Sequence, residues 1–132
     1  MSSHCDRVLT VTMTGHQPAL GAGFGCGTIV GMDSLRPRRS VLFMPGANAR
    51  ALEKARSIDC DGIIIDLEDA VAPDLKVEAR ERAAGVGKEH PYGYREVAIR
   101  VNGMDTQWHR DALAAAVAAG PDAIGVPKVG SA

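Results

Sequence analysis

Aromatic residues are scarce in this chain: one Trp, two Tyr and two Phe make up 4% of its 132 residues. That scarcity argues against a surface that binds single-stranded nucleic acid by stacking bases on aromatic side chains. The 15 basic and 16 acidic residues give a formal net charge of −1, which provides no positive field to attract a polyanion. We therefore predict no nucleic-acid partner.

Cysteine and long apolar runs are also rare. Cys5, Cys26 and Cys60 are widely spaced and form no CxxC motif, which predicts neither a disulfide framework nor a zinc site. No apolar run approaches the roughly 20 residues of a membrane helix, and the first residues lack the basic stretch and apolar core of a signal peptide. We therefore expect no membrane partner and a cytoplasmic location.

The composition changes near Leu35. Residues 1–35 are rich in Gly, Ser and Thr, and their glycine run does not have the spacing of a dinucleotide-binding GxGxxG loop. The alternation of apolar residues and Thr in residues 8–13 could form a short strand. We predict a poorly ordered extension over residues 1–35 and one domain over residues 36–132.

From Arg39 onward, short apolar strands alternate with helical segments. Asn48, Asp74 and Thr106 are each placed to begin a helix, and the predicted strands are residues 41–44, 62–65, 97–101 and 123–126. This alternation predicts an α/β fold with a parallel sheet. A complete (β/α)₈ barrel needs about 250 residues, so the four strands correspond to the first half of one.

Charged residues follow the strands, at the edge where parallel α/β folds place their chemistry. Asp66, Glu68 and Asp69 leave the second strand together. Two carboxylates there could hold a divalent cation, position its waters or orient a basic group. Alternatively, they could cap the next turn and pair with Lys76 or Arg80.

Two basic residues lie at the same predicted edge. Arg100, among the apolar residues of its strand, could bind a carboxylate of a ligand, pair with Asp66 or Glu68 across the sheet, or face solvent. The position at a strand end favours the ligand. Lys128, after the fourth strand, is predicted to support the fold as a salt-bridge partner of an upstream acid. The four histidines have no metal-ligand spacing.

The motifs in their order resemble the HpcH/HpaI aldolase and citrate lyase β-subunit family over about residues 36–129. The resemblance is carried by Arg-Ser-Val-Leu-Phe-Met-Pro-Gly at 39–46, Asp-Leu-Glu-Asp-Ala-Val at 66–71 with Lys76, Arg-Val-Asn-Gly at 100–103 and Pro-Lys-Val at 127–129. One departure is Gly130, where the family usually has Glu.

The resemblance implies a TIM barrel of the phosphoenolpyruvate/pyruvate type that works as a Mg²⁺-dependent CoA-ester lyase. Such an enzyme cleaves a 3-hydroxyacyl-CoA, such as citryl-CoA, malyl-CoA or citramalyl-CoA, into acetyl-CoA and a 2-oxo acid. The family's direct metal ligands are a Glu and an Asp on later strands, so the resemblance implies no direct ligand in this chain. It also implies a homo-oligomer when full length.

The resemblance also assigns roles to individual residues. Arg100 corresponds to the arginine that grips the substrate carboxylate, and Pro45 and Gly46 would contact the substrate near its thioester. Glu68 and Asp69 resemble outer-shell residues near the metal and its waters. A supporting role is expected for Asp66, Lys76 and Lys128.

Two other functions remain open at this point: a non-catalytic remnant, and an aldolase of the same superfamily that acts without CoA. Since about 95 residues hold only half of a barrel, we expect the 132-residue chain to be inactive alone.

Overall fold

The computed structural model describes residues 9–12 and 38–130. Strands and helices alternate along the chain, and a 3₁₀ turn, Pro73–Leu75, precedes the second helix. The elements are β1 (Leu9–Thr12), β2 (Val41–Pro45), α1 (Ala49–Ala55), β3 (Gly62–Asp66), α2 (Lys76–Glu89), β4 (Glu96–Arg100), α3 (His109–Ala119) and β5 (Ala123–Val126).

The five strands form one sheet in the order β1-β5-β4-β3-β2. Strands β2, β3, β4 and β5 are parallel, and each pairs with the next strand in the sequence. This consecutive order is that of a barrel wall, whereas a doubly wound sheet reverses its order at a switch point. The predicted α/β fold is confirmed, and its arrangement matches the first part of a TIM-type barrel.

The core lies between the sheet and its helices. Alternate strand residues point to this side and are almost completely buried, as Ile65 and Ile99 are. They pack against small helix residues such as Ala79, Ala83 and Ala112. The residues that alternate with them are less covered, and Phe43 is 55% exposed. The described helices therefore bury one face of the sheet and leave part of the other open.

Asp61 forms a polar clip at the amino-terminal end of the sheet. Its carboxylate accepts hydrogen bonds from the backbone N–H groups of Arg39 at 2.9 Å and Ser40 at 3.1 Å. It also forms a salt bridge with the Arg39 guanidinium at 3.0 Å. The Arg39 hydrogen bond lowers the pKa of Asp61 from 3.8 to about 2, against the opposing effect of burial.

The helix starts follow the sequence predictions only in part. Asn48 caps α1 as predicted, with its side chain accepting from the Ala51 N–H at 3.0 Å. Thr106 does not cap α3, because its hydroxyl donates to the Gly103 carbonyl at 2.8 Å and closes the turn after β4. Asp74 likewise lies within the 3₁₀ turn and does not cap α2.

Strand β1 pairs antiparallel with β5, from Leu9 opposite Val126 to Thr12 opposite Ala123. The strand suggested for residues 8–13 is therefore present in residues 9–12, and the predicted poor order of the rest of residues 1–35 lies outside the described residues. In the described ranges, no helix combines the length and apolar character that crossing a bilayer requires.

Candidate functional site

The candidate site lies at the carboxyl ends of the parallel strands. The strand register places Pro45 opposite Asp66, Asp66 opposite Arg100 and Arg100 opposite Gly125. Two of these four residues, Asp66 and Arg100, were predicted at the strand ends. Their common level gives the acids and Arg100 one shared rim.

Asp66 and Arg100 form a bidentate ion pair at the centre of this rim. The Nε atom of Arg100 donates to Oδ1 of Asp66 at 2.8 Å, and Nη2 donates to Oδ2 at 2.6 Å. Three alternatives were predicted for Arg100, and the structure shows the one in which it pairs with Asp66 on the neighbouring strand. The solvent-facing alternative is wrong, because the Arg100 side chain is largely buried.

The same carboxylate of Asp66 also holds the backbone that follows β3. It accepts hydrogen bonds from the N–H groups of Glu68 at 2.8 Å and Ala70 at 3.0 Å, and Asp66 is only 2% exposed. Burial raises the pKa of Asp66, but the hydrogen bonds from Arg100 and from the two amides outweigh it, so the pKa is lowered. Asp66 therefore stays ionised and orients Arg100 and the exit turn together.

Part of the Arg100 guanidinium remains available. Nη1 donates no hydrogen bond to any described residue and lies 3.5 Å from Oε2 of Glu68, beyond normal hydrogen-bond length. The guanidinium carbon lies 5.4 Å from the centre of the Phe43 ring, a cation–π contact. Arg100 is therefore held on two sides while one of its nitrogens still offers N–H donors.

Glu68 is the unusual acid of the rim. Its side chain is only 8% exposed, and Oε1 lies 3.1 Å from the Lys128 ammonium. Its other oxygen, Oε2, is buried and accepts no hydrogen bond within the described part of the chain. A buried carboxylate oxygen without a donor is costly, so this atom is suited to accept a hydrogen bond from a bound ligand or water.

Lys128 adopts an unusual backbone conformation beside these acids. Its φ is 56°, in the left-handed region, which costs a non-glycine residue roughly 1 kcal/mol or more. Its ammonium also lies 3.6 Å from Oδ1 of Asp69. The structure thus places Lys128 as an ion-pair partner of upstream acids.

The alternative interpretation of the rim acids is confirmed in its first half, since Asp66 caps the next turn, and wrong in its second half, the pairing with Lys76 or Arg80. The Lys76 ammonium donates to the main-chain carbonyls of Leu67 at 2.8 Å and Glu68 at 2.6 Å. Arg80 pairs with Asp111 at 3.1 Å, away from the rim. Burial lowers the pKa of Lys76, and the rim carboxylates oppose this effect.

Gly46 packs directly against the exit of β3. Its N–H donates to the Asp66 carbonyl at 2.9 Å, and a Cβ atom here would lie 2.8 Å from Cδ2 of Leu67. Arg82 on α2 donates to the Ala47 carbonyl at 2.6 Å and fixes the turn from the other side. This role of Arg82 was not predicted, because its position in a charged helix does not indicate the turn that it contacts.

The described residues do not form a complete metal centre. Within them, no three His, Cys, Asp or Glu side chains are placed to hold a metal ion. The oxygens of Asp66 are already used by four donors. Oε2 of Glu68 and the exposed carboxylate of Asp69 remain as acceptors that fit the waters of a metal ion bound by other ligands.

Comparison with known proteins places the chain in a family. Residues 39–132 match the sequence model of the HpcH/HpaI aldolase/citrate lyase family. A (3S)-malyl-CoA thioesterase of Cereibacter sphaeroides (strain ATCC 17025 / ATH 2.4.3) is 51% identical over 96 residues, which are 73% of this chain and 34% of that protein.

Two further relatives carry lyase names. The citrate lyase subunit beta of Leuconostoc mesenteroides subsp. cremoris is 38% identical over 74% of this chain and 32% of its own length. An L-malyl-CoA/beta-methylmalyl-CoA lyase of Cereibacter sphaeroides (strain ATCC 17029 / ATH 2.4.9) is 40% identical over 74% of this chain and 31% of its own length. The chain spans about a third of the length of these relatives. Because the family's sequence model matches residues 39–132, the chain belongs to the HpcH/HpaI aldolase/citrate lyase family.

Proposed function

We propose that the protein to which this sequence belongs is a CoA-ester lyase. Its substrate would be a 3-hydroxyacyl-CoA with a second carboxylate, such as malyl-CoA, citramalyl-CoA or citryl-CoA, and its products acetyl-CoA and a 2-oxo acid. Family membership and the names of the lyase relatives support this reaction. The observation that carries it is the oriented guanidinium of Arg100 beside a partly unsatisfied acidic rim.

The proposed reaction breaks the bond between C2 and C3 of the acyl group. The C3 hydroxyl loses its proton and becomes the carbonyl of the 2-oxo acid, while C2 gains a proton and becomes the methyl group of acetyl-CoA. Negative charge therefore develops on the thioester enolate, and the carboxylate of the departing oxo acid must be held in place. Arg100 would bind that carboxylate through its available Nη1 donors.

We propose Mg²⁺ as the cofactor, because the rim alone does not favour an anionic substrate. Three carboxylates, from Asp66, Glu68 and Asp69, face two cations, Arg100 and Lys128. Bound Mg²⁺ would supply Lewis-acid stabilisation of the oxo acid and the developing charge. Glu68 and Asp69 would accept hydrogen bonds from its waters, and the direct ligands are expected from residues other than those described.

The remaining residues of the site would position the reacting groups. The two hydrogen bonds to Asp66 fix the orientation of the Arg100 guanidinium. Lys128 holds the Glu68 carboxylate through Oε1, which leaves Oε2 on the other side. Pro45 and Gly46 lie at the same level as this pair and would contact the substrate near its thioester. The tight packing of Gly46 against Leu67 keeps this contact surface close to the rim.

Thioester hydrolysis is the second candidate, and a specific observation favours it. The relatives that share 51% to 53% identity with this chain are named (3S)-malyl-CoA thioesterase. Hydrolysis would add water to the thioester carbonyl, break the C–S bond and release malate and CoA. The same Arg100 contact would serve both reactions, because both would begin with the same bound malyl-CoA.

The two reactions are separated by their products. The whole protein is incubated with (3S)-malyl-CoA, with Mg²⁺ or with excess chelator, and free thiol and 2-oxo acid are measured in parallel. C–C cleavage yields a 2-oxo acid and no free thiol, whereas hydrolysis yields one free thiol per thioester consumed. A 2-oxo acid that forms only with Mg²⁺ supports the lyase, and free thiol alone would reject it in favour of hydrolysis.

Arg100→Ala tests the proposed substrate contact. We expect kcat/KM to fall by at least ~100-fold, because the charge-assisted hydrogen bonds from Nη1 of Arg100 to the substrate carboxylate are lost. Arg80→Ala is the matched control, since Arg80 pairs with an exposed acid on another helix. Far-ultraviolet circular dichroism checks that the fold persists. An unchanged rate in a folded Arg100→Ala variant would remove Arg100 from this role.

We further propose a cytoplasmic homo-oligomer. Cys60 is a buried free thiol, which suits a reducing compartment. Tyr94 and Met104 are exposed apolar side chains that would be candidates for contacts between subunits. Light scattering of the whole protein tests the assembly, and a mass equal to one chain would contradict it.

A further inference from the structure

The turn that carries Glu68 and Asp69 is held by a buried cation. Lys76 is 8% exposed, and its ammonium donates to the carbonyls of Leu67 at 2.8 Å and Glu68 at 2.6 Å. The Leu67 carbonyl accepts a second hydrogen bond from Nδ2 of Asn102 at 2.8 Å. Two successive peptide groups of the exit turn are therefore fixed from the helix side.

Lys76 also connects three elements of the fold. It is the first residue of α2, it contacts the turn after β3, and its ammonium lies 5.4 Å from the centre of the Trp108 ring at the start of α3. A buried ammonium is costly unless its donors are satisfied. The carbonyls and the aromatic ring satisfy it together, which fixes its position to the turn.

The two sides of the turn are complementary. On the rim side, the Asp66 carboxylate accepts hydrogen bonds from the backbone N–H groups of Glu68 and Ala70. On the helix side, the Lys76 ammonium donates hydrogen bonds to the carbonyls of Leu67 and Glu68. Because the peptide group between Leu67 and Glu68 is held at its N–H by Asp66 and at its carbonyl by Lys76, the turn has one defined orientation, and with it the direction of the Glu68 side chain.

We infer that Lys76 is a positioning residue that fixes the exit turn so that Glu68 and Asp69 face Arg100. For the reaction, this inference rests on the proposed function, whereas its structural part does not. Lys76 acts through the main chain and does not contact the substrate. Its removal leaves the acids and Arg100 in the sequence but frees the turn that aims them.

Amide hydrogen exchange at single-residue resolution tests the structural part in the whole protein. The variant is Lys76→Met, which keeps the length of the side chain and removes its donors. The matched control is Lys88→Met, an exposed lysine of the same helix. The amides of Glu68 and Ala70 report the turn, and those of Arg39 and Ser40, bound to Asp61, report general stability.

We expect exchange at Glu68 and Ala70 to accelerate at least ~10-fold more than exchange at Arg39 and Ser40 in Lys76→Met. Lys88→Met should leave all four amides unchanged. Equal acceleration at the four amides would assign Lys76 a general stabilising role, and no acceleration would remove it from the turn. Either result overturns the inference.

Kinetics of the whole protein test the catalytic part. With malyl-CoA as substrate, Lys76→Met should lower kcat by ~100-fold and change KM by less than ~3-fold, because Arg100 still binds the carboxylate. An unchanged kcat would overturn the role in catalysis. If the unsubstituted protein turns over no CoA ester, the proposed function fails, and the exchange experiment still decides whether Lys76 fixes the turn.

Discussion

Substituting Asp66 with Asn should destabilise the fold strongly, although the two side chains have nearly the same shape. Oδ1 of Asp66 accepts from Nε of Arg100 and from the Glu68 amide, both at 2.8 Å. Oδ2 accepts from Nη2 of Arg100 at 2.6 Å and from the Ala70 amide at 3.0 Å. An Asn side chain has only one oxygen, so its NH₂ group must face two of these donors in either orientation.

The expected cost follows from this count. In each orientation, the variant loses one hydrogen bond from a charged guanidinium, worth about 1.5–3 kcal/mol, and one from a backbone amide, worth about 1 kcal/mol. It also leaves the Arg100 charge without its carboxylate in a largely buried position. We therefore expect the free energy of unfolding to fall by about 3 kcal/mol, a large share of the 5–15 kcal/mol typical of domains.

Urea titration measures this change through the emission of Trp108, the single tryptophan of the chain. Asp111→Asn is the control, because Asp111 is 67% exposed and its pair with Arg80 should contribute about 1 kcal/mol or less. Both variants are compared with the unsubstituted chain at one protein concentration. An Asp66→Asn loss no larger than that of Asp111→Asn would refute the reasoning.

Three further substitutions test other parts of the fold. Because the pKa of Asp61 is lowered from 3.8 to about 2 in the folded chain, its contribution is fully present above about pH 4 and is lost as the pH falls towards 2. Acid titration of unfolding should therefore show a weaker pH dependence for Asp61→Asn across that window, and an identical slope would contradict the role of the clip. Gly46→Ala should cost about 1–3 kcal/mol, since its Cβ would meet Cδ2 of Leu67 at 2.8 Å and the Asp66 carbonyl at 3.0 Å. Gly85→Ala, where a Cβ meets nothing within 4 Å, should instead stabilise α2 by about 0.5–1 kcal/mol; thermal unfolding compares the two, and equal shifts would refute the packing argument.

The fold could be predicted from the sequence because strand periodicity is a local signal. The runs that include Ile63 to Ile65 and Ala123 to Val126 are short, apolar and bounded by turns, so their ends were predicted within a residue of those observed. The convergence of Asp66 and Arg100 followed from the parallel topology, because carboxyl ends of parallel strands meet at one edge.

The contacts within the site were harder to predict from the sequence, because they depend on distances between elements. One alternative paired Lys76 with carboxylates on the basis of charge, but a buried ammonium is satisfied equally well by main-chain carbonyls, which no sequence pattern marks. Thr106 has the residue type of a helix cap, yet its hydroxyl closes the preceding turn. The exposure of Phe43 beside Arg100 likewise depends on the sheet face that the helices leave open.

The antiparallel pairing of β1 with β5 has a consequence for closing a barrel. A further parallel strand wound in the same direction would dock on the outer edge of β5, where Leu9–Thr12 now occupies the hydrogen-bonding groups from Ala123 to Val126. Two segments cannot share that edge. Extension of the wall past β5 therefore requires these four residues to be displaced first, and the strength of their pairing sets how readily a competing strand can take their place.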